Sequence, residues 1–221
     1  MLNRLMQKLQ SMAAARPNAF DPSSLNDPVA MQAGWTPARS GGASFRTHKL
    51  VAVRPDRLEF RPAAGAVMFY LIFLFAGLGI LIGFSVHKIS SGGLAFDVDT
   101  ILPMAVGAVF AAVGGALFYF GTLPVVFDKR NGFFWKGRTA PHEVMNRSAI
   151  KHFAGFKDIY ALQLISEYCK GDKSSYYSYE LNLVLRDGRR INVVDHGSRD
   201  KIREDAKTLS AFLQKPVWDA I

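Results

Sequence analysis

The sequence predicts an α+β membrane protein: a two-helix transmembrane hairpin inserted in a small antiparallel β-barrel or sandwich that a C-terminal helix caps. Three observations carry that class. Residues 62–86 and 100–127 contain no charged side chain, and each stretch exceeds the roughly 20 residues a helix needs to cross the hydrocarbon core of a bilayer. Short runs rich in β-branched and aromatic residues, separated by turn residues, lie on both sides of that pair. One amphipathic helical pattern closes the chain.

The elements follow in order. Leu2, Leu5, Met6, Leu9 and Met12 fall at helical spacing opposite Arg4, Lys8 and Gln10, a short amphipathic helix that stops near Pro17 and suits a membrane surface or a partner. Residues 17–44, with prolines at 17, 22, 28 and 37 and clustered Ser and Gly, read as a linker with little regular structure, so 1–43 forms one segment. Residues 44–54 and 57–61 read as strands joined at Pro55 by a type I turn, the first part of a β-domain over 44–61. The hairpin occupies 62–123, with spans at 62–86 and 101–123. Beyond it, strands at 125–129 and 133–136 flank Asn131-Gly132, a hairpin signal. Leu162 and Leu164, then Leu181, Leu183 and Leu185, alternate with a period of two, and Asp187-Gly188 turns the chain into a strand at 189–194. Ser198 suits a helix cap, and Ile202, Ala206, Leu209 and Leu213 share one face before Pro216, which completes a main β-domain over 124–221.

Charge sets the expected orientation. Of the 27 Lys and Arg residues, nine precede residue 62, one lies in the connection between the spans, and seventeen follow residue 127. The positive-inside tendency then places both termini in the cytoplasm of a bacterium's inner membrane and the short loop around Ser90 and Gly92 outside. Arg54, Arg57, Arg61, Lys129, Arg130, Lys136 and Arg138 flank the spans and are read as a basic membrane surface that accounts for much of the net charge of +9, with anionic lipid rather than nucleic acid as its counterpart. The single Cys169 cannot form an internal disulfide, in keeping with a reducing compartment.

No signature of catalysis is visible. The five histidines lack paired metal-ligand spacing, neither GxGxxG nor GxxxxGK[ST] occurs, and Asp195-His196 reads as a turn before the Ser198 cap. The expectation is a non-enzymatic protein without cofactor or metal. Gly79 and Gly83 form a GxxxG pair in the first span, and Gly107, Ala111 and Gly115 repeat the spacing in the second, positions suited to packing of the spans on each other or on a second copy as a homodimer. Tyr176, Tyr177 and Tyr179 mark residues 170–179 as a candidate partner loop.

Seven short strands with a closing helix resemble the pleckstrin-homology-like fold. The stretch from Tyr179 through Ile191, together with Phe212, Leu213 and Trp218, is similar to that of uncharacterised bacterial two-span membrane proteins with such a cytoplasmic domain, over residues 44–61 and 124–219. A helical hairpin followed by a cytoplasmic domain is also similar in architecture to the photosystem I assembly factors. Eukaryotic pleckstrin-homology domains bind inositol phosphates near the turn matching Arg54 to Arg57, but Asp56 lies within it and no phosphoinositide site is carried over. The resemblance implies a module that binds an unidentified membrane or cytoplasmic protein as an assembly or scaffolding factor. A membrane immunity protein that neutralises a membrane-acting toxin is the alternative.

Overall fold

The structure, a computed structural model, describes residues 20–92, 97–144, 150, 152–171 and 174–221. The expected amphipathic helix over the first residues lies outside them. In chain order the elements are a 3-10 turn (Pro22–Leu25), α1 (Pro28–Gln32), β1 (His48–Arg54), β2 (Arg57–Pro62), α2 (Ala64–Ser90), α3 (Val98–Gly121), β3 (Val125–Asp128), β4 (Phe133–Lys136), β5 (Phe153–Gly155), β6 (Ile159–Lys170), β7 (Ser175–Leu185), β8 (Arg190–His196), α4 (Arg199–Leu213) and β9 (Val217–Ala220).

The strands form two sheets rather than a closed barrel. One runs β1-β2-β3-β4-β5, each strand antiparallel to its neighbour in sequence. The other runs β8-β7-β6-β9, and β9 joins β6 in parallel after the chain has crossed through α4. Both glycine turns read from the sequence are present, with Gly132 at φ +71° and Gly188 at φ +76°, the left-handed region where a Cβ is penalised. The closing helix is confirmed over α4, although the Ser198 side chain makes no capping bond and Gln214 ends the helix in a left-handed conformation.

One core joins both sheets to α4. Leu58, Phe60, Phe127 and Phe134 from the first sheet, Leu162, Leu164, Leu181 and Leu183 from the second, and Ile202 and Leu209 from α4 bury against one another. The outer faces are covered as well. Val126, Trp135 and Ala140 form a smaller cluster outside the first sheet, and Ala30, Ala33, Val184 and Trp218 form another outside the second. Double coverage explains why all four β3 residues are buried instead of alternating.

The two apolar helices interrupt the first sheet between β2 and β3. They have 27 and 24 residues, and the most apolar 18-residue stretch of each has a mean hydropathy of 2.5 and 2.1, long and apolar enough to cross a membrane. Only 11 % of each apolar stretch is buried, which separates them from core helices of a soluble domain. Met68, Ile72, Phe75, Ile82, Val109 and Phe120 are exposed around them, an apolar belt compatible with a two-pass membrane protein.

The segment expected to be a loose linker is an ordered strap across the second sheet. Phe20 stacks on Trp35 at 4.3 Å between ring centroids, Trp35 lies 5.8 Å from Trp218, and the Trp35 indole donates to Ala30 O. Tyr160 donates to Asp27 at 2.9 Å, and Gln163 donates to Gly34 O. Two carboxylates then hold the strap by its backbone: Glu180 accepts the amides of Ala38 and Arg39, and Glu167 those of Gly41 and Gly42. Glu180 is buried and also accepts from Asn182, so its removal strands several donors at once. Glu180→Ala should cost about 2–4 kcal/mol and release the strap, since charge-assisted bonds of this kind are among the strongest in proteins. Limited proteolysis should then cut near Arg39 much faster than in the unaltered chain, with the melting temperature lowered.

Candidate functional site

The sheet containing β2 and β3 has a helix-bearing end and a far end. β2 passes into α2 through Ala63 alone, and α3 returns to β3 through Thr122, Leu123 and Pro124. The ladder from Phe60↔Val125 to Arg57↔Asp128 therefore leads away from the helices over about 10 Å, at roughly 3.3 Å per residue.

This geometry divides the basic residues that the sequence groups as one membrane surface. Arg54, Arg57, Lys129 and Arg130 stand at the far end, in the β1–β2 and β3–β4 turns. Arg61, Lys136 and Arg138 stand at the helix-bearing end, and of these Lys136 is half-buried and donates to Val193 O at 3.2 Å. Arg138 stacks its guanidinium 4.5 Å from the Tyr119 ring and donates to Tyr119 O and Thr122 Oγ1, closing the last turn of α3. Arg61 remains half exposed and pairs with Glu59.

At the far end, Arg54, Arg57, Arg130, Asn131 and His142 surround Asp128 in an open cavity of about 390 Å³. Asp128 is buried and accepts the Asn131 backbone and side-chain amides, while Arg54 and Arg57 each lie 3.9 Å from its carboxylate. Arg57 also pairs with Glu59 at 2.7 Å and lies 5.4 Å from the Trp135 ring. Arg54 also pairs with Asp56 at 3.3 Å, whereas among the described residues Arg130 meets no acid, and Arg130 gives the rim a positive surface suited to acidic groups.

At the helix-bearing end, a partly buried polar junction ties the hairpin to the second sheet. Thr47 O accepts the Ala63 amide just before α2, and Thr47 Oγ1 donates to Asp195 O at the end of β8. His48 lies beside Thr47 with Nδ1 3.0 Å from its hydroxyl. Asp195 and His196, expected in a turn, are the last residues of β8, and His196 is fully buried. Its Nδ1 accepts the Ser198 amide, and its Nε2 lies 3.9 Å from Asp205, which Arg46 holds with two bonds. Burial pushes His48 down to about 4, with the Lys136 charge adding to it. Burial pushes Asp195 up to about 6. Among the described residues no three His, Cys, Asp or Glu side chains gather as a metal site.

The helix crossing uses glycines other than the expected GxxxG pair. A Cβ on Gly77 would stand 2.2 Å from the Ala111 nitrogen, and one on Gly114 2.2 Å from the Leu74 nitrogen, so backbones touch at both places. Gly107 and Ala111 belong to this contact, Gly115 lies at its margin, and Gly79 and Gly83 face open space. The tyrosines divide too: Tyr179 packs against the core, whereas Tyr176 and Tyr177 are exposed. No sequence signal distinguished Gly77 from Gly79, or revealed the junction of Thr47, His48 and Asp195, which comes from residues far apart in the chain.

Compared with known proteins, the chain matches no family model, no curated protein and no solved structure.

Two outcomes follow from this geometry. Gly77→Ala and Gly114→Ala force the helix backbones apart and should each cost about 1–3 kcal/mol, while Gly79→Ala and Gly83→Ala should change stability little. Thermal unfolding of the four variants in detergent checks this ordering. The junction makes a second outcome. His48, held below its ordinary 6.5, contributes stability that is complete above that value and lost as pH falls towards about 4. Asp195, held above its ordinary 3.8, contributes stability that is complete below that value and lost as pH rises through about 6. Between these limits the two oppose each other. Relative to the unaltered chain, His48→Gln should therefore lose stability as pH rises from 4 to 6. Asp195→Asn should gain it over the same range, and melting curves with equal slopes for both variants would refute the assignment.

Proposed function

We propose that the protein is a non-enzymatic two-pass inner-membrane protein of a bacterium, which holds a cytoplasmic β-module at the membrane and presents it to a protein partner as an assembly or scaffolding factor. The observation that carries this reading is the attachment of the helical hairpin by both ends to adjacent strands. With one residue between β2 and α2 and three between α3 and β3, the module has no flexible tether. The far end of its first sheet is therefore held away from the membrane in one orientation. An anchor needs no such rigidity, but a platform that sets the height and angle of a docking face does.

The sheet plan supports a pleckstrin-homology-like module. Two successive antiparallel meanders are followed by one helix packed on the shared core, and β9 is an addition to that plan. Within this reading the docking face is the far-end rim of Arg54 and Arg130, and its partner is a protein with an acidic surface.

A photo-crosslinking amino acid placed at position 130 of the full chain, in native membranes, tests the proposal. One defined protein adduct is expected at 130, and Arg54→Glu with the label retained should abolish it. Adducts at Ile82 with none at 130 would place the working contact within the bilayer and favour the immunity reading instead.

A further inference from the structure

The β6–β7 hairpin extends well past the sheet that contains it. β8 pairs with β7 only as far as Tyr179↔His196, whereas β6 and β7 continue through Glu167↔Ser178, Tyr168↔Tyr177 and Cys169↔Tyr176 to Lys170↔Ser175. Four residue pairs project beyond β8, about 13 Å at roughly 3.3 Å per residue. They project at the helix-bearing end. The end of β8 touches the entry to α2, because Thr47 bonds both Asp195 O and the Ala63 amide, and Gly197 donates to Phe45 O. Phe45 lies 6.0 Å from Phe69, more than a turn inside α2, and both rings are exposed.

The projection is a built structure. Glu167 accepts the amides of Gly41 and Gly42, and Tyr176 donates to Gly42 O at 2.9 Å, so the strap braces one side of the tip. A Cβ on Gly42 would stand 2.1 Å from Ser178 Oγ, which shows how closely strap and tip meet. On the other side, Tyr168 and Tyr177 pack ring to ring at 5.2 Å while remaining 50 % and 44 % exposed. Tyr176 is also exposed, and Lys170 stands beside them. A two-stranded projection braced by the strap, with aromatic surface turned to solvent, gains nothing in water. Tyrosine, with an apolar ring and a polar hydroxyl, is the side chain that partitions to the headgroup layer, and lysine reaches from there to anionic phosphates.

We infer that the β6–β7 tip is a further membrane contact, laying Tyr168 and Tyr177 in the headgroup layer of the leaflet beside which the β-module stands, with Tyr176 bracing the tip against the strap. The inference rests on the two-pass reading of α2 and α3. Its occupant is lipid, and it replaces the protein partner that the tyrosines suggest in sequence. With the strap attached to its root, the tip makes a second point of support for the module beside the hairpin.

Spin labels on the full chain in nanodiscs of phosphatidylcholine and phosphatidylglycerol test it. In a Cys169→Ser background, one label is placed at Ser174→Cys in the tip, one at Ile82→Cys in α2 and one at Arg130→Cys at the far end. Collisions with oxygen and with a water-soluble nickel chelate report depth. The expected result is a label at 174 several-fold less accessible to the chelate than that at 130, and released by Tyr168→Ser with Tyr177→Ser while 82 stays shielded. A tip as open to the chelate as position 130, with 82 shielded, overturns the proposal and leaves the spans standing. Chelate access at 82 overturns the two-pass reading itself. Because the nanodisc contains no other protein, a tip shielded only in native membranes is a protein-docking surface and also overturns the proposal.

Discussion

The β2–β3 ladder is the constraint from which the rest of the molecule follows. Four residue pairs, Arg57↔Asp128 to Phe60↔Val125, close a loop that contains the whole helical hairpin. The strands lie about 4.8 Å apart, yet helices with ordinary side chains pack at 8–10 Å. Helices entering and leaving through connectors of one and three residues must therefore approach closely, at least near the sheet. Gly121 accommodates the Tyr70 ring at the base, and Gly114 and Gly77 let backbones touch at successive levels above it. The small residues of the hairpin are answers to a spacing that the sheet imposes.

The same ladder orders the charges. Residues close in sequence to a span are not thereby close to the membrane, because each strand carries the chain away from the helices before turning. Arg54, Arg57, Lys129 and Arg130 are separated from Arg61 and Arg138 by the length of the strands. Lys136, at the near end, is half-buried and bonds Val193 O. Proximity in sequence is a reliable guide to a membrane surface only for extended linkers or helices.

Legibility in the sequence follows the range of the interactions involved. The two long apolar helices, the Asn131-Gly132 and Asp187-Gly188 turns and the face of α4 are local patterns, and the structure places them within a few residues of expectation. β9 was hidden because four residues after Pro216 have no period of their own and are fixed only by pairing with Leu162 to Ile165. Gly77 was hidden because a GxxxG spacing describes one helix surface without saying which surface meets the neighbour. The far-end cavity and the junction around Thr47 gather residues from separate strands, and no spacing rule reaches across the 148 positions between Thr47 and Asp195.

The strap shows why composition misled over residues 20–44. Prolines and glycines signal the absence of regular hydrogen bonding, and that part was right: most of the strap has no ladder of its own. Backbone amides without a ladder are not free to be buried unless something else accepts from them. The second sheet supplies both acceptors and donors on its outer face, where a sandwich would ordinarily carry solvent-facing residues: Glu180 and Glu167 take pairs of consecutive amides, and Arg190 and Gln163 donate to Thr36 O and Gly34 O. Buried Gln163 and Glu180 would be costly in an apolar layer. They are the counterpart of an irregular backbone, and the information that residues 20–42 are ordered lies in the polar pattern of β6 and β7 more than in the strap.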